Sequence, residues 1–89
     1  MGPVATEIHN LLTAALAPQS LDVIDDSETH RGHAGHDARG ESHFTVRVVS
    51  AAFAGKSRID RQRAINTALA VLLSDRVHAL SIVARAPGE

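Results

Sequence analysis

Cysteine, tryptophan and tyrosine are absent from these 89 residues, and phenylalanine occurs only twice. Without cysteine there is no disulfide framework and no nucleophilic thiol, so any soft-metal site must be built from histidine. The same absence fits a reducing compartment. With aromatics at 2%, the core has to be assembled from Val, Ile, Leu and Ala. The hydrophobic fraction of 44% is ordinary for a globular protein, and the length suits one small domain spanning residues 1–89. No apolar run approaches the ~20 residues needed to cross a bilayer. The charged start and long apolar region of a signal peptide are also missing, so a cytoplasmic protein with no membrane partner is expected. A net charge of −1 argues against a nucleic-acid or membrane footprint over the whole surface, though not against a local basic patch. Neither a nucleophile–base pair nor a phosphate loop is visible, so an enzyme is not expected.

What the chain does contain is a histidine-rich polar stretch, residues 25–44. It holds four of the six histidines, His30, His33, His36 and His43, and no large apolar residue before Phe44. Such a stretch cannot be a core element, and a long polar loop in a small domain is usually functional or disordered.

The flanking sequence is periodic. Val4, Ile8, Leu11, Leu12, Ala15 and Leu16 form one stripe of a helix over Pro3–Ala17. Pro3 suits its first turn and Pro18 stops it. A short strand is expected at Ser20–Asp26, with Leu21 and Val23 on one face and Ile24 on the other. In Ser42–Ser50, Phe44, Val46 and Val48 alternate with Thr45, Arg47 and Val49, the clearest strand pattern in the chain. Ala51–Lys56 reads as a short helical turn anchored by Phe53. A helix over Arg58–Ser74 follows, with Ile65, Ala68, Leu69 and Leu72 buried, and then a strand over Val77–Ala84 with Leu80 and Ile82 on its apolar face. Strict alternation puts His78 on that same face, partly buried. The order is an α+β layout, a three-stranded mixed sheet with helices packed on one face. The first two strands pair antiparallel, and the second helix carries the chain over so that the last strand runs parallel to the second.

Several residues admit competing readings. His30, His33 and His36 recur every third residue and could gather around one Zn²⁺, Ni²⁺ or Cu²⁺ ion; weak adventitious binding by a flexible loop is the plainer reading. His9 reads as a surface residue and His43 as part of a strand start. Gly32-His33-Ala34-Gly35 matches the GxxG string of nucleic-acid-binding KH domains, but it falls between strands rather than helices and is set aside. Lys56, Arg58, Arg61 and Arg63, offset by Asp60, form a basic cluster at the start of the second helix. The cluster is compatible with a solvated face, an acidic partner or DNA phosphates.

Three pieces of the second half occur together: Ser42-His43-Phe44, Val49-Ser50-x-x-Phe53-x-Gly55-Lys56 and Val77-His78-Ala79-Leu80, with Arg61-Gln62-Arg63 before the last. In combination the chain resembles the BolA family from about Glu7 to Pro87. The resemblance implies an αββαβ fold with an extra 3-10 turn, similar to the class II KH fold. One departure is Gln62, where family members usually carry histidine. The resemblance also implies a monothiol glutaredoxin partner and a 2Fe–2S cluster shared with it, not held by the isolated chain, in iron sensing or cluster trafficking. By the same resemblance His78 is one ligand and His30, in the loop between the first two strands, the other, with His33 and His36 as substitutes. The chain alone is expected to be a monomer or weak dimer. The alternative is a DNA-binding, stress-response transcription regulator that uses residues 55–63, namely Lys56, Arg58, Arg61 and Arg63.

Overall fold

In the computed structural model residues 2–27 and 41–89 are described. Helix α1 spans Pro3–Leu16, strand β1 Ser20–Asp25 and strand β2 His43–Val49. A 3-10 turn at Ala51–Phe53 leads to helices α2 (Arg58–Ala68) and α3 (Ala70–Asp75), and strand β3 covers Ala79–Arg85. The sheet order is β1-β2-β3, with β1 antiparallel and β3 parallel to the central strand. The α+β expectation therefore holds, including the pairing directions.

Alternation builds the sheet as the pattern requires. Phe44, Val46 and Val48 are buried, flanked on the same face by Leu21 and Val23 of β1 and Leu80, Ile82 and Ala84 of β3. Val4, Ile8 and Leu12 from α1, with Ile65, Leu69 and Leu72 from the later helices, close the core over Phe53. Ala15, expected in the α1 stripe, is exposed; Ala5, two residues past Pro3, is buried instead. Ala17 caps α1 in the left-handed region (φ 43°), and its N–H bonds the Thr13 carbonyl.

The single helix expected over Arg58–Ser74 is interrupted at Leu69 (φ −104°, ψ 13°). Hydrogen bonds of helical spacing still cross the break, from the Leu69 N–H to the Ile65 carbonyl and from the Leu73 N–H to the Leu69 carbonyl, each 3.0 Å. The stripe of Ile65, Leu69 and Leu72 thus remains in the core across the break.

Two polar side chains fix the ends of α1. Gly2 occupies the N-cap position and offers no side chain, but the Glu41 carboxylate accepts hydrogen bonds from the Val4 (3.3 Å) and Ala5 (3.1 Å) N–H groups. An acidic group there also suits the positive end of the helix dipole. Glu41 itself sits at φ 52°, in the left-handed region. At the other end the buried Ser50 hydroxyl donates to the Leu16 carbonyl (2.7 Å) and accepts from the Ala52 N–H (3.1 Å).

Candidate functional site

The parallel register of β2 and β3 sets His43 opposite Ala79, so both strand starts lie at one end of the sheet. His78 precedes β3, and its N–H donates to the Ser42 carbonyl at 2.7 Å. The partial burial expected from alternation is not found: His78 is exposed. Alternation applies only inside a strand; β3 begins at Ala79, and just before it Val77 turns into the core. An imidazole outside the sheet but tethered by its own backbone is accessible and positioned.

His43 is its neighbour. The two rings are 6.5 Å apart, centroid to centroid, inclined by 54°. His43 is 7% exposed, and its Nδ1 shares a 2.9 Å hydrogen bond with the Ser42 hydroxyl. The structural role read for it from the strand start accords with this burial, but its closeness to His78 was missed. The parallel pairing of two strands that each open on a histidine was the available signal.

Ser27 holds this corner from below. Its hydroxyl oxygen accepts from the N–H groups of Ser42 (2.8 Å) and His43 (3.3 Å), and its own N–H donates to the Asp25 carboxylate at 2.8 Å. The Asp26 N–H meets the His43 carbonyl at 2.7 Å. Residues 28–40 are thereby entered and left beside the histidine pair. His30, His33 and His36 lie within them, outside the described residues, so the structure does not bear on the loop ligand. Among the described residues there is no cluster of three or more metal-ligating side chains.

The basic cluster divides. Lys56, Arg58 and Arg61 line a cleft of about 460 Å³ with Gln62 and Ile82, Val83 and Ala84 of β3. Arg63 stands apart from that lining, 77% exposed and 3.8 Å from Asp60. Arg61 is 12% exposed: Nε donates to the Lys56 carbonyl (3.0 Å), Nη1 to the Ala84 carbonyl (3.2 Å), and Nη1 and Nη2 grip the Glu89 carboxylate. Its guanidinium carbon is 5.9 Å from the Phe53 ring centre. Hydrogen bonding to Arg61 holds the Glu89 carboxyl at about 2, and the Glu89 hydrogen bond raises Arg61 above its ordinary value. Sequence reading grouped the four cations as one face; the fold turns one of them inward.

A sequence model of the BolA family, described as BolA-like protein, matches residues 12–89. The chain belongs to the BolA-like family. Its BolA domain is 45% identical to the BolA domain of SufE1 from Arabidopsis thaliana, with a TM-score of 0.87 over 98% of this chain and 95% of that one. The solution structure of mouse BolA1 superposes with a TM-score of 0.79 at 38% identity, covering 98% of this chain and 68% of that one. In sequence the chain is 49% identical over 83 residues to a Sinorhizobium protein described as an uncharacterized protein in the cobS 5' region, covering 92% of this chain and 89% of that protein. It is 43% identical to SufE-like protein 1, chloroplastic/mitochondrial, of Arabidopsis thaliana, matching all of this chain but 25% of that protein. It also spans 62% of the length of BolA-like protein 1 of Pongo abelii, at 42% identity. Among the described residues of this BolA-like chain no helix is long and apolar enough to cross a membrane.

Proposed function

We propose that this BolA-like chain is an interaction module that pairs with a monothiol glutaredoxin and supplies histidine to a shared 2Fe–2S cluster, in iron sensing or cluster trafficking. The observation that carries the reading is His78: an exposed imidazole, held by its backbone at a strand start, 6.5 Å from a second imidazole. The donors suit the group. Neutral imidazole is a competent iron ligand, and histidine ligation raises a cluster's potential above that of all-thiolate ligation. Two histidines cannot complete a cluster that takes four protein ligands, and a cysteine-free chain has no thiolate to add. The remaining ligands, in this reading, come from the thiol-bearing partner that the family resemblance implies. In this reading His78 is one ligand. His30 is the expected second, with His33 and His36 as substitutes, and His43 is placed to orient the site.

The test is reconstitution with a monothiol glutaredoxin under anaerobic conditions with iron and sulfide. A visible and near-UV circular dichroism spectrum distinct from that of the glutaredoxin alone is expected; an identical spectrum would exclude the reading. The alternative, DNA binding through residues 55–63, is favoured by the exposure of Lys56 and Arg58 at the cleft mouth. It is weakened by the enclosure of Arg61. The dependence of affinity on salt would test it, at a slope of roughly −0.9 per phosphate neutralised.

A further inference from the structure

Arg61 has the character of a prepared anion seat. Its Nε and one Nη are fixed by the carbonyls of Lys56 and Ala84, and the guanidinium lies near the Phe53 ring. The remaining fork is bidentate toward a carboxylate, the geometry in which arginine binds oxyanions best. The current occupant, Glu89, has its carboxylate held by that fork and by the Ala86 N–H at 2.9 Å, its own N–H donates to the Ala86 carbonyl at 3.2 Å, and its side chain is 45% exposed. A carboxylate that is half in solvent on a guanidinium that is nearly enclosed is the more replaceable member of the pair.

The cleft next to the seat supplies the rest of a recognition surface. Lys56 and Arg58 stand beside Arg61, and one wall is Ile82–Ala84 of β3. Among the described residues that strand is a sheet edge, paired with β2 alone. Edge strands present backbone groups on alternate residues to an added segment.

We propose that Glu89 is a resident pseudo-ligand, an autoinhibitory contact, and that the seat it fills receives a carboxylate of an extended acidic segment of a partner protein laid along the β3 edge. The choice of a peptide carboxylate rests on the chemistry already seated there, on the planar fork that matches it, and on an adjoining strand edge that a peptide can pair with. The proposal is independent of the histidine site.

Competition sets the size of the effect. If Glu89 holds the seat nine-tenths of the time, an external carboxylate meets one-tenth of the molecules in binding-competent form and its affinity falls by roughly tenfold. The experiment uses the full chain and a fluorescein-labelled hexaglutamate peptide, read by anisotropy. Glu89→Ala is expected to tighten binding roughly tenfold, and adding Arg61→Lys to that variant, which keeps the charge but removes the fork, should cancel the gain. Thermal melts of each variant establish that the fold is intact. A Glu89→Ala chain that binds no tighter than the parent overturns the latch. A gain that survives Arg61→Lys overturns the seat. A gain for a labelled oligo-dT strand without one for the peptide overturns the choice of partner.

Discussion

His43 and His78 meet at one end of the sheet with their rings 6.5 Å apart, one imidazole buried and the other in solvent. Their substitutions should separate accordingly. His43→Ala removes a buried ring and strands the buried Ser42 hydroxyl, at a cost of about 1–3 kcal/mol. His78→Ala touches no core and should stay within about 0.5 kcal/mol. Urea unfolding of the two variants, compared at constant m, measures both.

With a monothiol glutaredoxin the order of severity should reverse. His78→Ala is expected to lose the distinctive circular dichroism of the shared cluster while the apo pair still forms, as judged by size-exclusion chromatography. His30→Ala should weaken the cluster less, because His33 and His36 stand nearby in sequence as substitutes. If His78→Ala left the spectrum intact, the ligand assignment would fail even though the partner was right.

Glu41 caps a helix that starts at Pro3, across 36 residues of sequence from Ala5. Glu41→Ala should cost about 0.5–2 kcal/mol, the usual range for a lost N-cap. Gly2→Ala should act on the same contact, because a Cβ there would clash with the Glu41 carboxylate and force it to move. Thermal melts by far-UV circular dichroism should show both losses, and the double variant should lose less than their sum because one interaction is removed twice.

The Arg61–Glu89 pair makes stability depend on pH in a defined window. Glu89 has its carboxyl lowered from 4.5 to about 2 in the folded chain by hydrogen bonds from Arg61 and the Ala86 backbone. A lowered acid contributes stability that is complete above its unfolded value and lost as pH falls toward its folded one. The difference in urea midpoint between the parent and Glu89→Gln should therefore be constant above about pH 5 and shrink from there to about pH 2. The Glu89 carboxyl carbon shift, followed by NMR, would locate the midpoint directly.

Element type and pairing direction were legible because short-range patterns carried them. The alternation around Phe44, Val46 and Val48 and the stripe of Ile65, Leu69 and Leu72 each state a face without knowledge of the rest. The break at Leu69 was not legible, since the stripe continues through it. The exposure of His78 was misjudged by extending alternation one residue past the strand. Arg61 and Glu41 were illegible for a different reason: their partners lie 28 and about 36 residues away, and charge in sequence does not reveal which cation folds inward. His78 itself became a candidate through the family motif rather than through periodicity.

The Ser27 hydroxyl oxygen accepts from the Ser42 N–H, so the two chain segments that flank residues 28–40 are joined to each other, and Glu41 ties the second of them to α1. The sheet corner is thus tied together by residues on either side of that stretch. Doubling the length of a connection between ends already held together costs only about 0.6 kcal/mol. A longer or shorter connection here therefore costs the fold little, while it changes the number and spacing of the histidines the chain carries. The supply of histidines and the architecture of the sheet are thereby separable at a single serine hydrogen bond.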